Sequence, residues 1–189
     1  MLPLARMTNA HDFGFVLGFW FEEIKPAQWW SADPAFDQTV RNRFGAVHLA
    51  ASRGELSSWR SRPEGRLAEV IVLDQFSRNM HRGTPLAFAS DPVALVLAQE
   101  AVAGGHDDAL VPDQRVFLYM PFMHSESPVV HETAVALFQR SGLQSNLDFE
   151  LRHKAIIDRF GRYPHRNAIL GRKSTEAELQ FLKEPGSSF

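Results

Sequence analysis

PEGRLAEVIVLDQFSRNM, residues 63–80, carries apolar side chains nearly all round a helix. With residues about 100° apart, Leu67, Ile71, Asp74 and Arg78 share one stripe, while Val72, Phe76 and Met80 lie broadly opposite. A helix apolar on every side is a buried one, so other helices must enclose it. Pro63 suits the first turn, where its missing N–H is no loss. Burying Asp74 and Arg78 is costly unless they are paired, and their i,i+4 spacing lets them pair with each other. Gln75 and Asn79 extend the polar patch. Two readings stay open: an internal ion pair, or a site floor where Arg78 holds a ligand anion and Asp74 orients it.

The flanking segments also read as helices. Phe13, Val16, Leu17, Trp20 and Ile24 recur at helical spacing after a candidate cap at Thr8 or Asn9. Asp33-Pro34 opens a stripe of Phe36, Val40, Phe44, Val47 and Ala51 that Gly54 can end. Asp91-Pro92 repeats the cap-proline signal, and that helix stops at Gly104-Gly105. Pro112 starts another, with Val116, Phe117 and Met120, which Pro121 kinks or ends. Ser127-Pro128 opens the next, which runs to Gly142. Ser145 and Asp148 fit a capping box for a helix reaching Phe160-Gly161; Thr175 and Glu178 fit one for a short last helix. The tail from Pro185 is expected to fray. Strand signals are weak, without sustained alternation or Asn-Gly and Asp-Gly turns. The expected fold is all-α, stacked antiparallel helical hairpins in one domain over residues 1–189.

The chain's 189 residues are enough for one full core, and 44% hydrophobic content argues against disorder. A formal net charge of -2 gives no electrostatic footprint for nucleic acid. The absence of cysteine excludes disulfides and thiolate metal sites and suits a reducing cytosol. The apolar run Phe13 to Phe21, flanked by His11, Asp12, Glu22 and Glu23, is too short to span a bilayer. The start lacks the basic stretch and small-residue cleavage site of a signal peptide. A cytoplasmic protein with no membrane partner is expected.

Three polar segments interrupt the apolar pattern, the first being residues 74–79. In the second, His153 points inward among Phe149, Ile156, Ile157 and Phe160, as a core histidine or a catalyst would. Arg159, Arg162, His165, Arg166 and Asn167 follow, interrupted by Gly161 and Pro164, which shape a turn rather than a solvated helix face. So much positive charge needs carboxylates or a ligand anion nearby. The third is His124-Ser125-Glu126, whose histidine and carboxylate can converge on one proton or metal. His131 follows on an apolar face, a ligand or simply core; His11, His48, His81 and His106 read as incidental. Ser77 and Ser125 lie nearest the polar segments, but no spacing gives either an adjacent base. His124, Glu126, His153, His165 and Asp74 could ligate a metal, yet no ligand spacing is diagnostic and the arginines favour an anion. No metal or cofactor is therefore expected.

The same segments resemble the signature blocks of one bacterial family. Leu73 to Asn79 (LDQFSRN), Phe117 to Glu126 (FLYMPFMHSE), Arg159 to Arg172 (RFGRYPHRNAILGR) and Val16 to Phe21 (VLGFWF) are similar to blocks of the domain-of-unknown-function family DUF924. The resemblance covers nearly the whole chain. It implies an all-helical fold resembling tetratricopeptide-repeat superhelices, and no established activity, substrate or cofactor.

The leading expectation is a pocket between helices for a small anionic ligand, with group hydrolysis or transfer as its extension. Arg78, Arg159, Arg162 and Arg166 would hold phosphate or carboxylate. His124, His153 or His165 would move a proton, oriented by Asp74 or Glu126. Gln75, Asn79 and Asn167 would fix ligand orientation. The alternatives are an interaction module binding an acidic peptide in a concave groove, and a purely structural polar network.

Overall fold

The computed structural model describes residues 12–188, so the cap expected at Thr8 or Asn9, like His11, lies outside the described residues. Among these residues the chain is all-α, with no strand. Helix α1 (Phe13–Gly18) is capped by Asp12, whose Oδ1 accepts from Gly14 N at 2.8 Å. It continues into a π turn, Phe19–Glu23, that carries Phe19 and Trp20 into the core. Helix α2 (Pro34–Ser52) begins as its sequence predicts, with Asp33 accepting from Ala35 N and Phe36 N. Gly54 follows in the left-handed region at φ 72°.

The central rod is α3 (Pro63–Ile71), continued by a π turn (Val72–Phe76) and α4 (Ser77–Met80). Leu67, Ile71, Val72 and Phe76 are wholly buried, as an all-round apolar helix requires. A regular helical wheel misses the π turn, a wider coil in which the Asp74 carbonyl accepts from Arg78 Nη1 at 2.9 Å. Gly65 lets the chain before α3 cross close by: a Cβ there would lie 2.1 Å from the Trp59 carbonyl oxygen. Helices α1, α2, α5 (Asp91–Ala103) and α6 (Pro112–Met123) pack against this rod. Phe44 meets Phe76 at 4.7 Å between ring centroids, and Trp20 stands edge-on to both Phe76 and Phe117 at 5.5 Å.

Four local expectations are corrected. Helix α6 does not end at Pro121 but runs on to Met123. Every residue from Val116 to Met123 is buried, and that packing outweighs one lost backbone bond, about 3 kcal/mol in an exposed helix. Helix α5 is preceded by Ser90, and Asp91 sits inside its first turn with its carboxylate on Arg78. Helices α7 (Pro128–Ser141) and α8 (Gln144–Phe160) form a hairpin through Gly142, φ 76°, and Leu143. Because α8 already starts at Gln144, Ser145 and Asp148 lie inside it and form no capping box; Asp148 instead accepts from Gln144 Nε2 at 2.8 Å. The Thr175–Glu178 box does form, at α9 (Glu176–Phe181). The tail, expected to fray, turns back, with Ser187 buried and its Oγ donating to the Leu182 carbonyl at 3.2 Å.

Helix α5 and the turn before it, Pro85–Ala103, are long and apolar enough by composition to cross a membrane, at mean hydropathy 1.4. Their small face, Ala94, Ala98 and Ala101, is buried, while Leu86, Val93 and Val96 remain exposed.

Candidate functional site

A cavity of about 890 Å³ lies where α4, α6, α8 and the turn after α8 meet. That size suits a small organic molecule. Gln75, Arg78, Asn79, His124, His153, His165 and Arg166 all line it, so the three polar segments share one wall. Asp74 lies just behind, its side chain only 1% exposed.

The rod supplies the anchor. Asp74 accepts from Gln75 Nε2 at 2.7 Å, from Arg78 Nη1 at 3.0 Å and from His124 Nδ1 at 2.8 Å. Burial opposes its ionisation, but the Arg78 charge and these hydrogen bonds hold it well below the usual carboxylate range. The His124 bond fixes the tautomer: Nδ1–H donates to Asp74, which leaves the lone pair on Nε2, in a ring that lines the cavity. Arg78 also forks onto Asp91, at 2.9 and 3.0 Å. The internal ion-pair reading of Asp74 and Arg78 therefore holds as geometry, and the same pair floors the cavity.

Arg166 is held differently. It is 6% exposed, yet its guanidinium makes no protein hydrogen bond among the described residues, and its buried Nε is unpartnered. Its nearest carboxylate is Asp91, at 3.5 Å and already shared with Arg78. Two rings lie against it instead, Phe88 at 4.7 Å and Tyr163 at 4.6 Å from their centroids. Burial, then the like charge of Arg78, lowers its pKa from the usual arginine value.

The turn bearing Tyr163, His165 and Arg166 is braced from α6. Glu126 takes both terminal nitrogens of Arg172, at 2.6 and 2.9 Å, and accepts from Tyr163 N at 2.8 Å. Tyr163 Oη donates to the Met123 carbonyl at 2.5 Å. Glu126 therefore does not converge with His124 as its sequence position suggests; the two diverge from the end of α6 and Glu126 positions the turn. His131 is core, wholly buried between Glu150 Oε1 at 2.7 Å and the Ser125 carbonyl at 2.9 Å.

Other expected ligand residues lie elsewhere. Arg159 is exposed and covers Phe160 and Phe181. Arg162 forks onto Glu178 at 2.6 and 2.8 Å, outside the cavity. Asn167 is buried against Ser174 and Arg172, where it closes the turn. Ser77 is wholly buried outside the cavity and spends its proton on the Leu73 carbonyl at 2.6 Å; His48 Nε2 contacts its Oγ at 2.8 Å. Among the described residues no three metal-type side chains gather. Phe88, Trp29 and Trp30 carried no motif, and Tyr163 lay unmarked inside the Arg159–Arg172 block. Asp91 was hidden by its resemblance to a helix cap.

The cavity histidines are held neutral. Burial takes His153 down to about 3; burial and then Arg166 take His165 to about 4. Burial and Arg78 also lower His124, against the pull of Asp74. These folded values lie below the unfolded value near 6.5. The unfolded chain therefore binds protons that the folded chain refuses. This stability is complete above about pH 6.5 and is lost as pH falls toward 4 and then 3. Urea unfolding at pH values between about 7.5 and 5 is expected to show the decline, at most about 1.4 kcal/mol per pH unit for each histidine. A His153→Gln variant is expected to flatten that slope; an unchanged slope would contradict the assignment.

The chain matches the family described as "Bacterial protein of unknown function (DUF924)" over residues 16–186. No curated protein matches it. A solved structure, a protein of unknown function from Agrobacterium tumefaciens, is 42% identical with a TM-score of 0.86, covering 90% of this chain and 96% of that one.

Proposed function

The chain belongs to the bacterial DUF924 family of unknown function, and from that premise and the cavity's chemistry we propose that it binds a small organic anion, carboxylate or phosphate, at Arg166. The observation that carries this reading is a buried guanidinium without a protein hydrogen bond among the described residues, beside a cavity of about 890 Å³. A buried cation left in that state is costly, and an oxyanion would supply the missing forked hydrogen bonds.

Charge balance adds a proton to the binding event. Arg78 and Arg166 are offset by Asp74 and Asp91, and Arg172 by Glu126, so a guest anion tips the cluster negative. The imidazoles of His124 and His165, neutral in the empty site, are the groups that take up the compensating proton. Since binding raises their affinity for protons, ligand affinity rises as pH falls. Acetate, whose own charge is constant over this range, is expected to bind several-fold tighter at about pH 6 than at about pH 8, with proton uptake seen as a buffer-dependent heat.

Titration calorimetry with inorganic phosphate and with acetate tests the reading. Wild-type protein is expected to bind saturably, and Arg166→Gln to lose roughly 10–100-fold, the range of one charge-assisted contact. Equal affinity in the two proteins would contradict it. The 2.8 Å His124–Asp74 contact favours a second reading, a hydrolase or transferase in which the ligand is a substrate and His124 Nε2 its base. That reading predicts that His124→Gln abolishes turnover while binding stays within a few-fold.

A further inference from the structure

The cavity, at about 890 Å³, has an apolar lining that an inorganic anion leaves unused. Besides Arg166, its lining includes Trp29, Trp30, Phe149, Met120 and Met123. Trp30 and Phe149 are 59% and 48% exposed, an arrangement that leaves two large rings in water beside a hollow. The wall is also built to stay in place. Trp29 Nε1 donates to the Trp20 carbonyl at 2.8 Å, and both tryptophans pack on Phe117, at 5.0 and 5.8 Å between ring centroids.

We infer that the ligand is an aryl acid, a carboxylate or phosphate on a short arm bearing a flat aromatic body, with its acid on Arg166 and its ring against Trp29, Trp30 and Phe149. This inference rests on the anion reading above and adds the body of the ligand. An apolar chain of any shape would gain from area burial alone. Indole and phenyl faces, with the thioethers of Met120 and Met123, give an aromatic guest an additional preference.

The test compares phenylbutyrate, decanoate of equal carbon number, the neutral amide of phenylbutyrate, and acetate, by calorimetry and tryptophan emission. Phenylbutyrate is expected to bind at least about tenfold tighter than acetate, and tighter than decanoate, with a change in tryptophan emission. Trp30→Ala and Phe149→Ala, both surface changes, are expected to weaken phenylbutyrate several-fold and to leave acetate unchanged. Phenylbutyrate no tighter than acetate, or decanoate equal to it, overturns the aryl assignment and leaves the anion reading standing. An amide that binds as well as the acid overturns the anion reading itself.

Discussion

Asp91→Ala is expected to lower unfolding stability by about 3 kcal/mol and to tighten phosphate binding by roughly tenfold. The two effects have one cause. Asp91 accepts both terminal nitrogens of Arg78, at 2.9 and 3.0 Å, and is the nearest carboxylate to Arg166, at 3.5 Å. Without it, Arg78 keeps Asp74 but Arg166 loses its nearest carboxylate, and removing one partner of a buried pair strands the other. The same removal takes away the carboxylate that competes with a guest for Arg166. Urea unfolding with and without phosphate measures both effects: the deficit should shrink as phosphate rises, following ligand linkage. Asp91→Asn, which keeps an acceptor for Arg78, should cost less and bind phosphate at an intermediate strength. Weaker phosphate binding in both variants would mean that Asp91 supports the site rather than competes with the ligand.

Asp74→Ala is expected to destabilise by about 3–5 kcal/mol. Its side chain is 1% exposed and serves donors from Gln75, Arg78 and His124. Alanine leaves all three unsatisfied around a new cavity, and a stranded buried donor alone costs about 1–3 kcal/mol. Because Asp74 is held below its usual range when folded, its contribution is present above about pH 3.8 and is lost as pH falls through the folded value. Asp74→Asn should recover part of the loss by accepting from His124 without the charge. In that variant the Asp74 charge no longer opposes Arg78 at His124, so the His124 proton should leave at a still lower pH, which imidazole NMR titration reads. A His124 titration identical in wild type and Asp74→Asn would show that the dyad is not coupled.

The burial of the rod was legible because residues 63–80 are apolar on every side, a pattern that only enclosure satisfies. Cap grammar placed α2 and α9 well, since Asp33 and the Thr175–Glu178 pair act on their own backbone. The π turns were not legible, because they answer to packing between helices rather than to residue period. Asp91 shows how a local signal can hide a distant one: the dipeptide with Pro92 reads as a cap, while the carboxylate serves Arg78 a helix away. The meeting of Arg78, His124, His165 and Arg166 in one cavity lining was not legible, because charge that needs neutralising suggests a partner but no spacing brings distant segments together. Adjacency in sequence then gathered too many residues, since Arg159 and Arg162 share the turn's stretch of chain but face Phe181 and Glu178. Trp29 and Trp30 carried no signal, and Phe149 read as part of the inward apolar face around His153 although it is 48% exposed, because single aromatic residues read as core until their exposure is known.

The most direct measurement is a crystal structure grown free of sulfate and soaked in phosphate. The account predicts a tetrahedral anion within hydrogen-bonding distance of the terminal nitrogens of Arg166, with His124 or His165 turned toward it. A structure in which Asp91 has closed onto Arg166, and in which no anion enters beside it at any phosphate concentration, would contradict the account.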